Sequence, residues 1–68
     1  MDRVDLNRAD SGTLERLPGI GPGLARRILA EREAHGRYRT PEELLRVPGI
    51  GRERLERLRP WITTGEGA

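Results

Sequence analysis

Apolar residues recur along this chain at helical spacing, in two matching sets separated by thirty positions. Leu14, Leu17, Ile20, Ala25 and Ile28 match Leu44, Val47, Ile50, Leu55 and Leu58, and Leu24 and Leu29 join Ala25 and Ile28 on the apolar face of the first unit's second helix. Spacings of three and four residues mark one face of a helix, and nowhere does a period-two alternation run long enough to require a strand. The match extends to identity: Leu14-Glu-Arg-Leu-Pro-Gly-Ile-Gly lies over Leu44-Leu-Arg-Val-Pro-Gly-Ile-Gly, and Asp10 over Thr40. The chain is therefore a duplicated unit of helix, tight turn and helix.

Local signals set the predicted bounds. Asp10 is an N-cap for a short helix from about Ser11 to Arg16, weakened by Gly12 and ended by Pro18-Gly19. Pro22 is a favoured first helical residue, so a second helix runs from Pro22 to about His35 and stops at Gly36. Thr40-Pro41-Glu42-Glu43 reads as a capping box opening a helix to Arg46. A last helix spans Arg52 to about Arg59 and ends at Pro60. Trp61 and Ile62 are expected to fold back on the core, with Val4 and Leu6 packing at the other end. The expected fold is all-α, one domain over 1–63, with motif one at about 10–36 and motif two at about 40–62. Residues 64–68 read as a flexible tail.

Composition narrows the chemistry. With 68 residues and 34% of them hydrophobic, one small core is all that forms. There is no cysteine, hence no disulfide and no thiolate metal site, and His35 alone does not make a metal centre. Gly19-Ile-Gly21-Pro-Gly23-Leu24 misses G-x-G-x-x-G at its last position, and a chain without lysine has no P-loop. Ser11 and the threonines sit on or near caps, far in sequence from His35, so no nucleophile has a base. The expectation is no catalysis, no cofactor and no small-molecule substrate. No apolar run approaches the roughly 20 residues that cross a bilayer. Tyr38 and Trp61 read first as packing, with base stacking as the alternative.

All thirteen basic residues are arginine, in a chain whose net charge is only +2. Arginine suits phosphate, yet so small an excess argues for DNA only if the charges cluster. They do so beside the turns. The glycines around Ile20 and Ile50 free the backbone and keep side chains away, while the isoleucines plug the core. What remains exposed is the start of the next helix, whose first amides lack partners and attract anions. The donors are Gly21, Gly23 and Leu24 in one turn, and Gly51, Arg52, Glu53 and Arg54 in the other. Arg26 and Arg27 stand beside the first, with no acid between Pro18 and Ala30; Glu53 sits between Arg52 and Arg54 at the second. The first turn is thus the cleaner expected phosphate site. A lone Pro-Gly-Ile-Gly would serve equally as a compact connector; two copies, each flanked by arginines, favour phosphate.

Pro18-Gly-Ile-Gly-Pro-Gly-Leu-Ala25 and Pro48-Gly-Ile-Gly resemble paired helix-hairpin-helix motifs. Asp5-Leu-Asn7-Arg-Ala9, Ile28 through Arg32-Glu33, Gly36-Arg-Tyr38, Glu43-Leu-Leu and Trp61-Ile-Thr63 extend the likeness to ComEA-like competence proteins over most of the chain. The resemblance implies a pseudo-two-fold four-helix domain that binds double-stranded DNA independently of sequence, as the DNA receptor in natural transformation. Carried onto this chain, its contacts are Gly19, Ile20, Gly21, Gly23 and Leu24 with Arg26 and Arg27, and Gly49, Ile50 and Gly51 with Arg52 and Arg54. It also implies a monovalent cation on hairpin carbonyls in some members, a monomer in isolation, and an extracytoplasmic or periplasmic home. Composition alone leaves a cytoplasmic one open, and an anchor or signal would lie outside this chain. The chain departs from the family in having Gly23 and Leu24 where lysine often follows the first turn. Two other readings stay open: a protein-interaction module, and the DNA-targeting part of a repair protein.

Overall fold

The computed structural model describes residues 3–65. Its elements run in the order β1 (Val4–Asp5), α1 (Ser11–Leu14), α2 (Pro22–His35), a 3-10 segment (Pro41–Arg46), α3 (Arg52–Leu58), a 3-10 turn (Arg59–Trp61) and β2 (Ile62–Thr63). The duplication is visible in burial. Residues 11–30 and 41–60 are buried, half-buried or exposed position for position in the same order. Leu14 and Leu44, Leu17 and Val47, Ile20 and Ile50, Ala25 and Leu55, and Ile28 and Leu58 form matched pairs in one core. The fold is all-α, with helix-hairpin-helix units related by a pseudo-two-fold axis.

The first helix of one unit is shorter than its sequence suggests, and that of the other keeps its expected length but winds more tightly. Asp10 caps as expected, its Oδ1 accepting from the Thr13 amide at 2.9 Å, but α1 ends at Leu14 rather than Arg16. In the second unit Thr40 makes no side-chain cap, and Glu43 Oε1 instead accepts from the Arg39 amide at 2.8 Å. The segment winds as 3-10 over Pro41–Arg46, a form that short stretches adopt readily. α3 likewise stops at Leu58, because Pro60 has no amide to continue an α-helix, and the chain goes on as a 3-10 turn through Trp61. α2 meets no such block and runs to His35, where Gly36 ends it with a φ of 84° that glycine takes at little cost.

The chain ends are tied together. β1 and β2 pair in parallel, Val4 with Ile62 and Asp5 with Thr63, a pairing of two residues a side that no alternation in the sequence announces. Asn7 fastens the junction. Its Nδ2 donates to the carbonyls of Tyr38 (2.8 Å) and Thr64 (2.9 Å), and its Oδ1 accepts from the Tyr38 amide at 2.6 Å. Thr64, assigned to the tail by sequence, is only 6% exposed and belongs to this junction; residues 66–68 lie outside the described part. Arg32 reaches across from α2, its Nη1 donating to the carbonyls of Leu6 and Ala9, each at 2.9 Å.

Tyr38 is core, not a stacking platform. It is fully buried, and its hydroxyl donates to the Ile28 carbonyl at 2.8 Å. Burial, reinforced by the carboxylate of Glu31, pushes its phenol up to about 12 from the usual 10.0. Folding therefore favours the neutral phenol. That contribution is complete below pH 10 and is lost as the pH rises from 10 through 12. Tyr38→Phe should cost about 1 kcal/mol at neutral pH, since the Ile28 carbonyl keeps its helical donor. It should also remove the alkaline fall in stability. Urea unfolding of both proteins across this pH range measures the two effects.

Candidate functional site

The two Pro-Gly-Ile-Gly segments resolve into three separate jobs. First comes the turn: the Ile20 amide donates to the Leu17 carbonyl at 3.1 Å and the Ile50 amide to the Val47 carbonyl at 3.0 Å. Proline second and a left-handed glycine third, φ 78° at Gly19 and 98° at Gly49, mark a type II turn. Next is the plug: Ile20 and Ile50 are each 4% exposed. Last is the helix start. Gly21 and Gly51 have φ of −96° and −103°, ordinary extended backbone that any residue adopts. The sequence reading that both flanking glycines serve unusual angles therefore holds at Gly19 and Gly49 and fails at Gly21 and Gly51.

Nothing within the protein requires those second glycines. A Cβ added at Gly21, Gly23 or Gly51 would meet no atom within 4 Å. Glycine at the N-cap instead leaves the helix start uncapped. Neither α2 nor α3 has a side-chain cap, and their first helical bonds are Ala25 to Gly21 and Leu55 to Gly51, each at 2.9 Å. The amides of Gly21, Gly23 and Leu24, and those of Gly51, Arg52, Glu53 and Arg54, come before those bonds. Gly21, Pro22 and Gly23 are exposed, as are Gly51, Arg52 and Glu53. α1 offers the contrast, because Asp10 fills the same place with its own carboxylate. That carboxyl titrates below its usual range chiefly because the Thr13 amide hydrogen-bonds it. Each hairpin thus presents unpartnered amide donors of the kind that attract anions.

Each hairpin is also held by the other unit. Arg54 Nη1, from α3, donates to the Gly19 carbonyl at 2.8 Å; Arg27 Nη1, from α2, donates to the Pro48 carbonyl at 3.2 Å. A Cβ at Gly19 would lie 2.9 Å from Arg54 Nη1, and one at Gly49 would lie 2.8 Å from Leu24 Cδ2. Positions 24 and 54 correspond under the repeat, so each helix lays the same position across the opposite turn. Arg27 and Arg54 hence act inside the domain as braces, while Arg26 and Arg52 are exposed and have no partner among the described residues. Leu24 is half-buried, its side chain spent on Gly49. The braces were not legible in sequence, where these arginines look alike.

Two hairpin carbonyls, those of Gly19 and Pro48, thereby already accept from a guanidinium, whose charge opposes a monovalent ion on the same oxygens. Among the described residues no group of three or more His, Cys, Asp or Glu is placed to hold a metal. His35 is on the surface near the end of α2, 3.4 Å from Glu31. No described helix is long and apolar enough to cross a membrane.

Comparison with known proteins agrees with this architecture. A family model described as helix-hairpin-helix motif matches residues 1–63. ComE operon protein 1 of Bacillus subtilis is 38% identical over 60 residues, 88% of this chain and 29% of that protein. An uncharacterized protein of Haemophilus influenzae is 39% identical over 62 residues, 90% of this chain and 55% of its own length. A zebrafish endonuclease/exonuclease/phosphatase family domain-containing protein 1 is 33% identical over 58 residues, only 10% of its length. The chain spans about half or less of these relatives. It belongs to the helix-hairpin-helix family.

Stability should separate the glycines. Gly19→Ala and Gly49→Ala are each expected to lose about 1–2 kcal/mol through left-handed backbone alone. Gly21→Ser and Gly51→Ser supply the missing cap and should leave stability unchanged or raise it by roughly 0.5 kcal/mol. Thermal unfolding of the four variants reads the difference.

Proposed function

We propose that this helix-hairpin-helix domain binds double-stranded DNA without reading its sequence, each hairpin offering helix-start amides to a backbone phosphate. The observation that carries the reading is the pair of uncapped glycines, Gly21 and Gly51. Their backbone is ordinary and the space before them is empty, so their small size serves an approaching partner rather than the fold. A duplex presents regularly spaced phosphates, and a two-fold pair of hairpins suits two-point attachment. Phosphate contacts fix position and carry no sequence information.

The arginines divide between two tasks in this account. Arg26 and Arg52, exposed and without partners among the described residues, supply attraction; Arg27 and Arg54 set the spacing of the hairpins. Glu53 stands exposed at the second hairpin and would repel a phosphate there, so the first contributes more. The cellular role we propose is that of a DNA receptor in uptake, outside the cytoplasmic membrane, following the likeness to ComEA-like proteins. The zebrafish relative, in whose length this module is a small part, supports the second reading, a DNA-targeting unit of a larger protein.

Gly21→Asp should cap α2, keep the fold by circular dichroism, and weaken retention of an arbitrary duplex in a gel shift. Gly51→Asp should do so less. Equal or reversed losses would refute the ranking, and unchanged retention in both variants would favour a protein-interaction module. Few phosphates are neutralised, so log affinity against log salt should have a slope of about −2 to −4, and affinity at physiological salt should be on the order of micromolar or weaker. A slope near zero contradicts the electrostatic part.

A further inference from the structure

Beside the first hairpin, the N-terminal segment, α1 and Trp61 enclose an open cleft of about 660 Å³. Val4, Leu17, Pro18 and the half-buried Trp61 give it an apolar wall. Arg3, Arg8 and Arg16, all exposed, supply the positive charge around it. The one acid is Asp5, already engaged. Its Oδ1 accepts from the Asn7 amide at 2.9 Å, and its Oδ2 lies 3.7 Å from Arg8, whose side chain remains 88% exposed. Arg16 has no partner among the described residues.

The repeat supplies a control for this cleft. Thirty positions separate equivalent residues, so the counterparts of Thr13, Arg16 and Trp61 are Glu43, Arg46 and Glu31. In that half the arginine is neutralised: Arg46 lies 3.8 Å from Glu43 Oε1 and 4.0 Å from Glu31 Oε1, which also faces His35. In the first half both acids are gone, one replaced by a small hydroxyl and the other by an indole. The same scaffold position is closed by ion pairs in one unit and open, cationic and aromatic in the other.

We propose that this cleft holds one unpaired nucleotide of a DNA strand, its base stacked on the Trp61 indole and its phosphate among Arg3, Arg8 and Arg16. A flat apolar ring joined to an anion matches both halves of the lining. An acidic peptide would satisfy the arginines and leave the indole without a planar partner. The volume falls in the range of small-ligand sites. Base stacking on an aromatic side chain tolerates any sequence, as the hairpins do. Pro18 belongs to both the cleft and the first hairpin, so a strand frayed from a gripped duplex passes directly into it. The inference rests on the duplex reading only for the source of that strand.

Trp61 is the single tryptophan, so its fluorescence reports on the cleft directly. At low salt, a short oligothymidylate should quench it saturably, thymidine monophosphate should do so more weakly, and inorganic phosphate should not. Thr13→Glu restores the acid that position 43 carries, on a half-buried surface site beside the Asp10 cap, and, with the fold checked by circular dichroism, should weaken the oligonucleotide roughly tenfold. Trp61→Leu, followed by anisotropy of a labelled oligonucleotide, should weaken it by roughly fivefold or more. The double variant Gly21→Asp, Gly51→Asp should lose duplex retention yet keep the quenching. Loss of quenching in that variant would place the strand on the hairpins and overturn the proposal. So would absent quenching, equal quenching by phosphate or by the free nucleotide, or full affinity in Thr13→Glu and Trp61→Leu. Quenching that persists while the unaltered protein fails to retain duplex supports the cleft and counts against the duplex reading alone.

Discussion

A left-handed glycine at the third position of each type II turn is the constraint from which the rest of this domain follows. Gly19 and Gly49 must take positive φ for the chain to reverse between helices, and their bare Cα atoms let the opposite unit approach. Arg54 and Leu24 come close enough there that a methyl group would crowd them. The turns are consequently both the corners of the hairpins and the contact between the two units. Ile20 and Ile50, directly after the corners, carry the turns into the shared core. Removing either glycine would disturb reversal, cross-contact and plug together.

A second economy concerns helix starts. Three α-helices begin in this domain, and only α1 uses a side-chain cap. Relative to glycine, a side-chain cap contributes about 0.5 kcal/mol or less, small but not negligible for a chain this short. Forgoing it at both hairpins, where glycine is not needed for conformation, is a small loss of stability that a bound anion would offset on the proposed reading. On the proposed reading, function lies in what the protein leaves unsatisfied, and the pseudo-two-fold arrangement repeats the same unpartnered donors at two points. The arginine braces hold those points at a fixed relation, which a partner with regular phosphate spacing requires.

How much of this the sequence discloses depends on the range of the interaction. The duplicated apolar set, the proline at the start of α2 and the glycine stop at its end are local signals, and they place the core and the long helix correctly. The capping box at Thr40 was misread because Glu43 reaches one residue further back, to Arg39, a choice of partner that spacing alone does not fix. The strand pair joins residues 4–5 to 62–63, the ends of the domain, and two residues a side leave no period to detect. The clamp by Asn7 and the braces by Arg27 and Arg54 are likewise long-range. In sequence, Arg26 and Arg27 are neighbours of equal promise; in the fold one faces solvent and the other a carbonyl of the second hairpin. Pro-Gly-Ile-Gly itself was legible as a candidate site but not as a division of labour, since only backbone angles distinguish Gly19 from Gly21.

The central claim is that uncapped amides at the two helix starts meet phosphate, and amide chemical shifts test it at the atoms concerned. In a nitrogen–proton NMR titration with an arbitrary duplex, the largest shifts should fall on the amides of Gly21, Gly23 and Leu24, with smaller ones on Gly51 and Arg52. The same pattern should appear whatever the duplex sequence. Shifts concentrated away from both helix starts, with these amides unmoved at saturation, would contradict the account.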